Sequence, residues 1–353
     1  MRFGLSEEQT LLADSVTRFL ADNVPLDEVR KVASGESSDA AVWQGLTELG
    51  VPGLLIPEDH GGVGLGSLDA VVVADCLGAN VTPSPFLSSA VIAPTVLVAA
   101  GQREDLLGSL AGGEIRIGTA FGEAIGARVD ADVKVSGGKL SGKSLFALDT
   151  HADHFLVATK GKHVYLVNAS DCEVTDLPTV DRTRTTCEIK YNNVAAELIS
   201  DNPDVFTEAL DRARVVMAAD TLGAAQHMID EAVAYAKVRE QFNRPIATFQ
   251  AVKHMCAQMT ADLEPCRSMV WYAGHALDNV PEEARLLACH TKAHLAEVGR
   301  SVSKTATEVH GGMGFTDLLG LHYWFKRCGF NRQMLGVPEL VREEAARIQG
   351  LAA

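Results

Sequence analysis

At 353 residues the chain is long for one hydrophobic core and suits two or three lobes of about 100 to 150 residues each, and 47% hydrophobic with 22% charged residues is an ordinary globular composition. The formal net charge of −15 repels phosphate backbones at a distance, which excludes nucleic acid as an expected partner but leaves room for a phosphorylated cofactor held by a few local Arg or helix N-termini. No apolar run approaches the roughly 20 residues that span a bilayer, and Met1-Arg2-Phe3-Gly4 does not open a signal peptide, so a cytoplasmic chain without a membrane span is expected.

Ser6-Glu7-Glu8-Gln9 is a capping box, and Leu12, Val16 and Leu20 follow at helical spacing, which predicts a first helix. Further helical patterns run over about 40 to 49, 68 to 81, 85 to 100 and 103 to 111, punctuated by Pro and Gly as in Pro57-Glu58-Asp59-His60-Gly61-Gly62. From Glu114 the pattern turns to short β-branched segments. These are Ile115-Arg116-Ile117, Val133-Lys134-Val135, Phe155-Leu156-Val157, His163 to Val167 and Cys187-Glu188-Ile189, at a spacing that predicts a small antiparallel sheet or barrel. Helical periodicity resumes near residue 200. It predicts one long helix from about Pro203 to Val238, a second from about Ala247 to Asn279, and a third from Pro281 with Glu282 and Glu283 in its first turn. The reading is therefore α+β: a helical domain over 1–113, a β domain over 114–200 and a helical bundle over 201–353.

Three stretches carry a family pattern. Pro57-Glu58-Asp59-His60-Gly61-Gly62-Val63-Gly64 resembles a P-E-x-x-G-G-x-G turn. Arg239-Glu240-Gln241-Phe242-Asn243-Arg244-Pro245-Ile246 with Phe249-Gln250 resembles R-x-Q-F-G-x-P-I-x-x-F-Q, and His310-Gly311-Gly312-Met313-Gly314-Phe315 resembles a G-G-x-G-F turn. In this order and spacing they resemble the acyl-CoA dehydrogenase family. The resemblance implies a helical domain, a small antiparallel β domain and a C-terminal four-helix bundle around FAD, acting on an acyl-CoA thioester and passing electrons to an electron-transfer flavoprotein or similar acceptor. In that family the Arg and Phe of the second motif and the glycines of the third reach a neighbouring subunit's FAD. Carried over by position, the residues are Arg239, Gln241, Phe242, Gln250, Glu308, Gly311 and Gly312, with Glu308 standing where the family has Gln. Arg239, Phe242 and the glycines suit the role physically, since a guanidinium forks onto a pyrophosphate, an aromatic face lies beside a ring and glycines admit a close approach, whereas Glu308 sets a carboxylate near an anionic cofactor.

The departures are as informative. The family takes the α-proton with a glutamate in E-G-T-x-Q or with one in the first long helix. Here those positions are Leu335, in Leu335-Gly336-Val337-Pro338-Glu339, and Ala213, and neither accepts a proton. Asp220, two turns along from Ala213, is the substitute carboxylate that spacing offers. The flavin-binding T-E-P-x-A-G-S-D is replaced by Gly122-Glu123-Ala124-Ile125-Gly126-Ala127-Arg128-Val129, W-I-T by Phe146-Ala147-Leu148, and T-x-Q by Val337 and Glu339. Contacts to the chain's own flavin are eroded, whereas those donated to a neighbour persist.

The economical expectation is a heterotetramer in which this chain completes the FAD site of a second, catalytic acyl-CoA dehydrogenase subunit, an arrangement similar to that of family members acting on sterol side-chain thioesters. The alternatives are an active homo-oligomer with a relocated base and a non-enzymatic thioester-binding scaffold. His310, beside the glycine turn, is a further candidate for touching cofactor, and His60, His227, His254, His290 and His294 read as helix or core residues. Seven scattered cysteines without C-x-x-C spacing read as reduced thiols, and no His/carboxylate spacing calls for a metal.

Overall fold

The computed structural model describes residues 4–126 and 133–352. The first part is helical: α1 (Glu7–Asn23), α2 (Leu26–Ser34), α3 (Ala40–Glu48), α4 (Ser67–Ala79), a π-helical segment Phe86–Ile92 that runs into α5 (Ala93–Ala100), and α6 (Asp105–Ala111). The predicted capping box is in place: the Gln9 amide donates to Ser6 Oγ at 3.1 Å and the Ser6 amide to Gln9 Oε1 at 3.0 Å.

Eight strands follow: β1 (Ile117–Ala120), β2 (Lys134–Ser136), β3 (Lys139–Leu148), β4 (His154–Ala158), β5 (Val164–Asn168), β6 (Glu173–Asp176), β7 (Thr186–Ala195) and β8 (Glu197–Ser200). They form one sheet in the order β6-β7-β3-β1-β4-β5-β8, with β2 on β3. The sheet is mixed. β1 and β4 run parallel because the chain passes through β2 and β3 before returning beside β1; every other described pairing is antiparallel. Side chains alternate between two buried faces. Leu156, Ala158, Val164 and Leu166 join the large core shared with the helices, and Phe155, Val157, Tyr165 and Val167 join a second core on the other side of the sheet.

Helix α7 (Pro203–Val238) starts with Pro203 at N1 and Asn202 Oδ1 accepting from the Asp204 amide at 3.0 Å. A two-stranded hairpin, β9 (Glu240–Gln241) and β10 (Arg244–Pro245), connects it to α8 (Gln250–Asn279), after which come α9 (Pro281–His310), α10 (His322–Gln333) and α11 (Pro338–Ile348). Helices α7 to α10 form the bundle, α11 packs on α9, and α4 packs along α7. That last contact is backbone-close: a Cβ on Gly78 would fall 2.0 Å from the Asp220 carbonyl oxygen, and one on Gly223 would fall 1.9 Å from that of Asp75. Among the described residues no helix is long and apolar enough to cross a membrane.

Candidate functional site

The motif residues of the bundle gather at one end of it. The rings of Tyr235, in the last turns of α7, and His310, the last residue of α9, lie 4.7 Å apart, so the hairpin after α7 and the glycine turn after α9 are neighbours. The hairpin turns at Phe242 and Asn243, whose φ values of 54° and 61° are both left-handed, as a two-residue turn matched to strand twist requires. Asn tolerates that conformation, whereas for Phe it costs about 1–2 kcal/mol. The strained Phe242 side chain is 88% exposed, and its ring meets that of Phe249 edge-on, 6.0 Å away between ring centres. Arg239 is exposed at the end of α7; its backbone closes the helix and the hairpin, and its guanidinium makes no hydrogen bond or ion pair among the described residues. Gln241 donates back to the carbonyl of Glu240, and Gln250 pairs with His254, both at the surface.

Gly311 has φ 59° and ψ −138°, a conformation reserved for glycine. Gly312 is different: its φ is ordinary and nothing lies within 4 Å of the Cβ it lacks, so no conformational or packing demand within this chain calls for glycine there. Glu308 is exposed and lies 3.7 Å from Lys304 one turn earlier, which offsets the carboxylate that replaces the family's Gln. His310 is buried and its Nδ1 pairs with the Ala306 carbonyl at 2.8 Å, so it braces the end of α9 instead of presenting its ring to the surface.

A second locus lies between the sheet and the end of the bundle. A cavity of about 590 Å³ is walled by β1 and the turn after it (Thr119, Phe121, Gly122), by Leu145, Phe146 and Leu148 of β3, and by Gly329, Leu335 and Val337 around the end of α10. Leu335 and Phe146, both expected at a flavin-side wall, do face it. Ala147 between the β3 residues points to the second core. Glu123 does not line it: Oε2 accepts from the Val133 amide at 2.9 Å and braces the start of β2. Ala127, Arg128 and Val129 of the expected segment lie outside the described residues. Glu339 turns to solvent and pairs with Arg332 at 3.1 Å, leaving Val337 on the wall. Among the described residues no Asp, Glu, His, Lys, Arg, Cys or Tyr lines this cavity.

Asp220 is not presented to the cavity described above. Its carboxylate is 2% exposed, lines none of the described cavities, and takes hydrogen bonds from Arg184 Nη2 at 2.6 Å, Arg327 Nη1 at 3.0 Å and Asn331 Nδ2 at 2.6 Å. Two guanidiniums and an amide hold the anion in place, so no lone pair is presented to a substrate. Ala213 is fully buried in the main core. Sequence spacing put Asp220 on the right helix but carried no sign of Arg184 and Arg327, which come from other segments.

One cluster escaped the sequence reading. Ligand-type atoms of Asp211, Cys289 and Glu344 lie within 4.8 Å of one another, but the Arg214 guanidinium stands among them, 2.9 Å from Glu344, and occupies the place of a cation. Burial pushes Asp211 up to about 7 and the Cys289 thiol up to about 12. Arg214 also donates through Nε to the Leu335 carbonyl at 3.1 Å, tying α7 to the left-handed Leu335 on the cavity wall.

Family models described as the acyl-CoA dehydrogenase N-terminal and C-terminal domains match residues 6–114 and 204–349. The acyl-CoA dehydrogenase IpdE2 of Mycobacterium tuberculosis is 31% identical over 95% of this chain and 95% of its own length, and the protein of that name from Mycolicibacterium smegmatis is 30% identical over 98% and 99%. The chain belongs to the acyl-CoA dehydrogenase family. Among solved structures, the ChsE4–ChsE5 complex of Mycobacterium tuberculosis superposes with a TM-score of 0.89 at 25% identity over 100% of both chains. The Tcur3481–Tcur3483 steroid acyl-CoA dehydrogenase superposes with a TM-score of 0.88 at 27% identity over 98% of each chain.

Proposed function

We propose that this chain is a subunit of an FAD-dependent acyl-CoA dehydrogenase that converts a saturated acyl-CoA into the α,β-unsaturated thioester, and that it completes the FAD site of a catalytic partner subunit instead of supplying the base. The observation that carries this reading is the contrast between the two loci. The chain's own cavity presents Leu335 where a base would stand and has an apolar wall where a flavin's polar edge would need donors. The elements that a family member lends to a neighbour stand at the surface with little to hold among the described residues: the Arg239 guanidinium without an anion, a strained Phe242 whose ring meets only the edge-on Phe249 ring, and Gly312 without a contact that excludes a side chain. An unmade contact at an exposed, strained position is what an interface residue looks like in a separated subunit.

Fit to FAD therefore differs between the loci. The cavity does not fit it; the outer locus does, with Arg239 for the diphosphate, Phe242 and Gln241 for a flat ring and its edge, and Gly311-Gly312 for close backbone approach. When bound, FAD supplies the two-electron oxidation of the Cα–Cβ bond, and this chain's residues orient the cofactor and exclude water from it. A heterotetramer with a second acyl-CoA dehydrogenase subunit is the assembly proposed, with electrons leaving to an electron-transfer flavoprotein or similar acceptor. Two of the solved relatives carry two-protein names, which supports the reading.

The test is the absorption spectrum and native mass of the protein alone and co-expressed with a glutamate-bearing acyl-CoA dehydrogenase from the same genome. A colourless lone chain and a yellow complex with about one FAD per two chains is the expected result. Stoichiometric FAD on the lone chain, bleached by an acyl-CoA, would overturn it.

A further inference from the structure

We propose that the cavity between the sheet and the end of α10 is a binding site for a neutral, largely apolar ring compound, kept open in this chain in place of a flavin. The inference rests on the reading that the chain holds no flavin of its own. Its volume, about 590 Å³, lies in the range of small-molecule pockets. Its wall is Phe, Leu, Ile, Val, Met and Gly, with polar side chains from Thr119, Thr179 and Gln333 alone among the described residues. The Thr179 hydroxyl donates to the Asp181 carbonyl at 3.1 Å and Gln333 is exposed, which leaves the buried Thr119 as the one further polar side chain of the wall among the described residues. A charged or phosphate-bearing ligand would meet no counter-charge from the described residues of that wall and would lose its hydration uncompensated by them.

Two further observations say that the space is maintained and not a packing accident. Phe146 and Leu335 both sit at left-handed φ, 54° and 58°, and both line this cavity. Phe146 is placed there by a bulge in β3 between Ser144 and Ala147, and Leu335 by the Arg214 bond to its carbonyl. Bulky residues persist in that conformation where the surroundings impose it, typically at ligand clamps. Gly329, inside α10, also lines the cavity. Gly329 is exposed and nothing lies within 4 Å of its absent Cβ, so it stands at the open side of the cavity, where an added side chain has room to enter.

The probe is Nile red, a neutral polycyclic dye that brightens in apolar surroundings, titrated into the full chain. The proposal expects saturable binding at about one dye per chain, not displaced by riboflavin. It also expects a loss of about tenfold or more in Gly329→Phe, whose ring enters the open space. Leu145→Lys, which puts a charge at a half-buried wall position, is the second variant and is expected to weaken the dye similarly while the helical circular dichroism is kept. Absence of saturable binding, binding untouched by both variants, or displacement by riboflavin would overturn the proposal. The outcomes also separate it from the reading it rests on: a lone chain purified yellow sinks both, whereas a colourless chain that ignores the dye sinks this one alone.

Discussion

The Asp220 carboxylate accepts from Arg184 of the loop between β6 and β7 and from Arg327 and Asn331 of α10, so one residue of α7 fastens the sheet and the bundle to each other. Arg327 is itself fully buried and donates to Asp181 at 2.6 Å as well. Removing one member of such a network leaves buried charge uncompensated, so Asp220→Asn is expected to destabilise the chain by about 3–5 kcal/mol. A urea melt measures that, and the flavin content of the folded complex should stay unchanged; intact stability with lost activity would return Asp220 to catalysis. Why spacing misled here is plain in these partners. A helix pattern reports which face a carboxylate shares with its helical neighbours, whereas Arg184 and Arg327 come from 36 and 107 positions away and leave no local trace. The surface positions of Arg239, Phe242 and Gly312 depend on short local motifs and not on long-range partners, and their contact with a cofactor is a proposal.

Long amphipathic helices announce themselves at the scale of the element. The predicted ends of the first long helix, Pro203 and Val238, coincide with those of α7, because Asn202 and Pro203 encode its start locally. Strand β3 was invisible because Lys139-Leu140-Ser141-Gly142-Lys143 alternates weakly, and its pairing with β7, not its composition, makes it a strand. The parallel β1–β4 pairing was likewise hidden, since period-2 patterns carry no strand direction. Between α9 and α10 the contact is chemical. Lys292, 2% exposed, donates to the Asn331 carbonyl at 2.5 Å and reaches that of Arg332 at 3.5 Å, capping the last turn of α10. Burial, helped by Arg214 and Arg332, pushes its pKa down to about 7. Between that value and the ordinary lysine range the unfolded chain binds the extra proton, so this group makes stability rise as pH climbs from about 7 towards 10 and leaves its full penalty in place below 7. The slope is at most about 1.4 kcal/mol per pH unit. Lys292→Met should flatten it, and parallel stability-against-pH lines for the two proteins from pH 7 to 10 would refute the assignment.

At the scale of the whole molecule, four strongly exposed apolar side chains stand in and around the two family motifs. Phe242, Phe315, Val238 and Leu318 are 76–88% exposed, in or beside the hairpin and the glycine turn, while the main core is closed around α4 and α7. Apolar exposure of this kind marks a surface that a partner covers, and at Gly312 the surrounding space is open enough for a side chain to be added without disturbing the chain itself. That separation allows folding and assembly to be tested independently. Phe242→Ala and Gly312→Val are each expected to leave the stability of the lone chain within about 0.5 kcal/mol, since neither position is packed. In the co-expressed complex both should lower the FAD retained per pair of chains, Phe242→Ala by removing an aromatic face and Gly312→Val by placing two methyl groups where backbone must approach the cofactor. Gel filtration with flavin absorbance reads both quantities in one run. Full flavin retention in both variants would mean that these motifs no longer touch a cofactor, and the proposed division of labour between two subunits would fall with them.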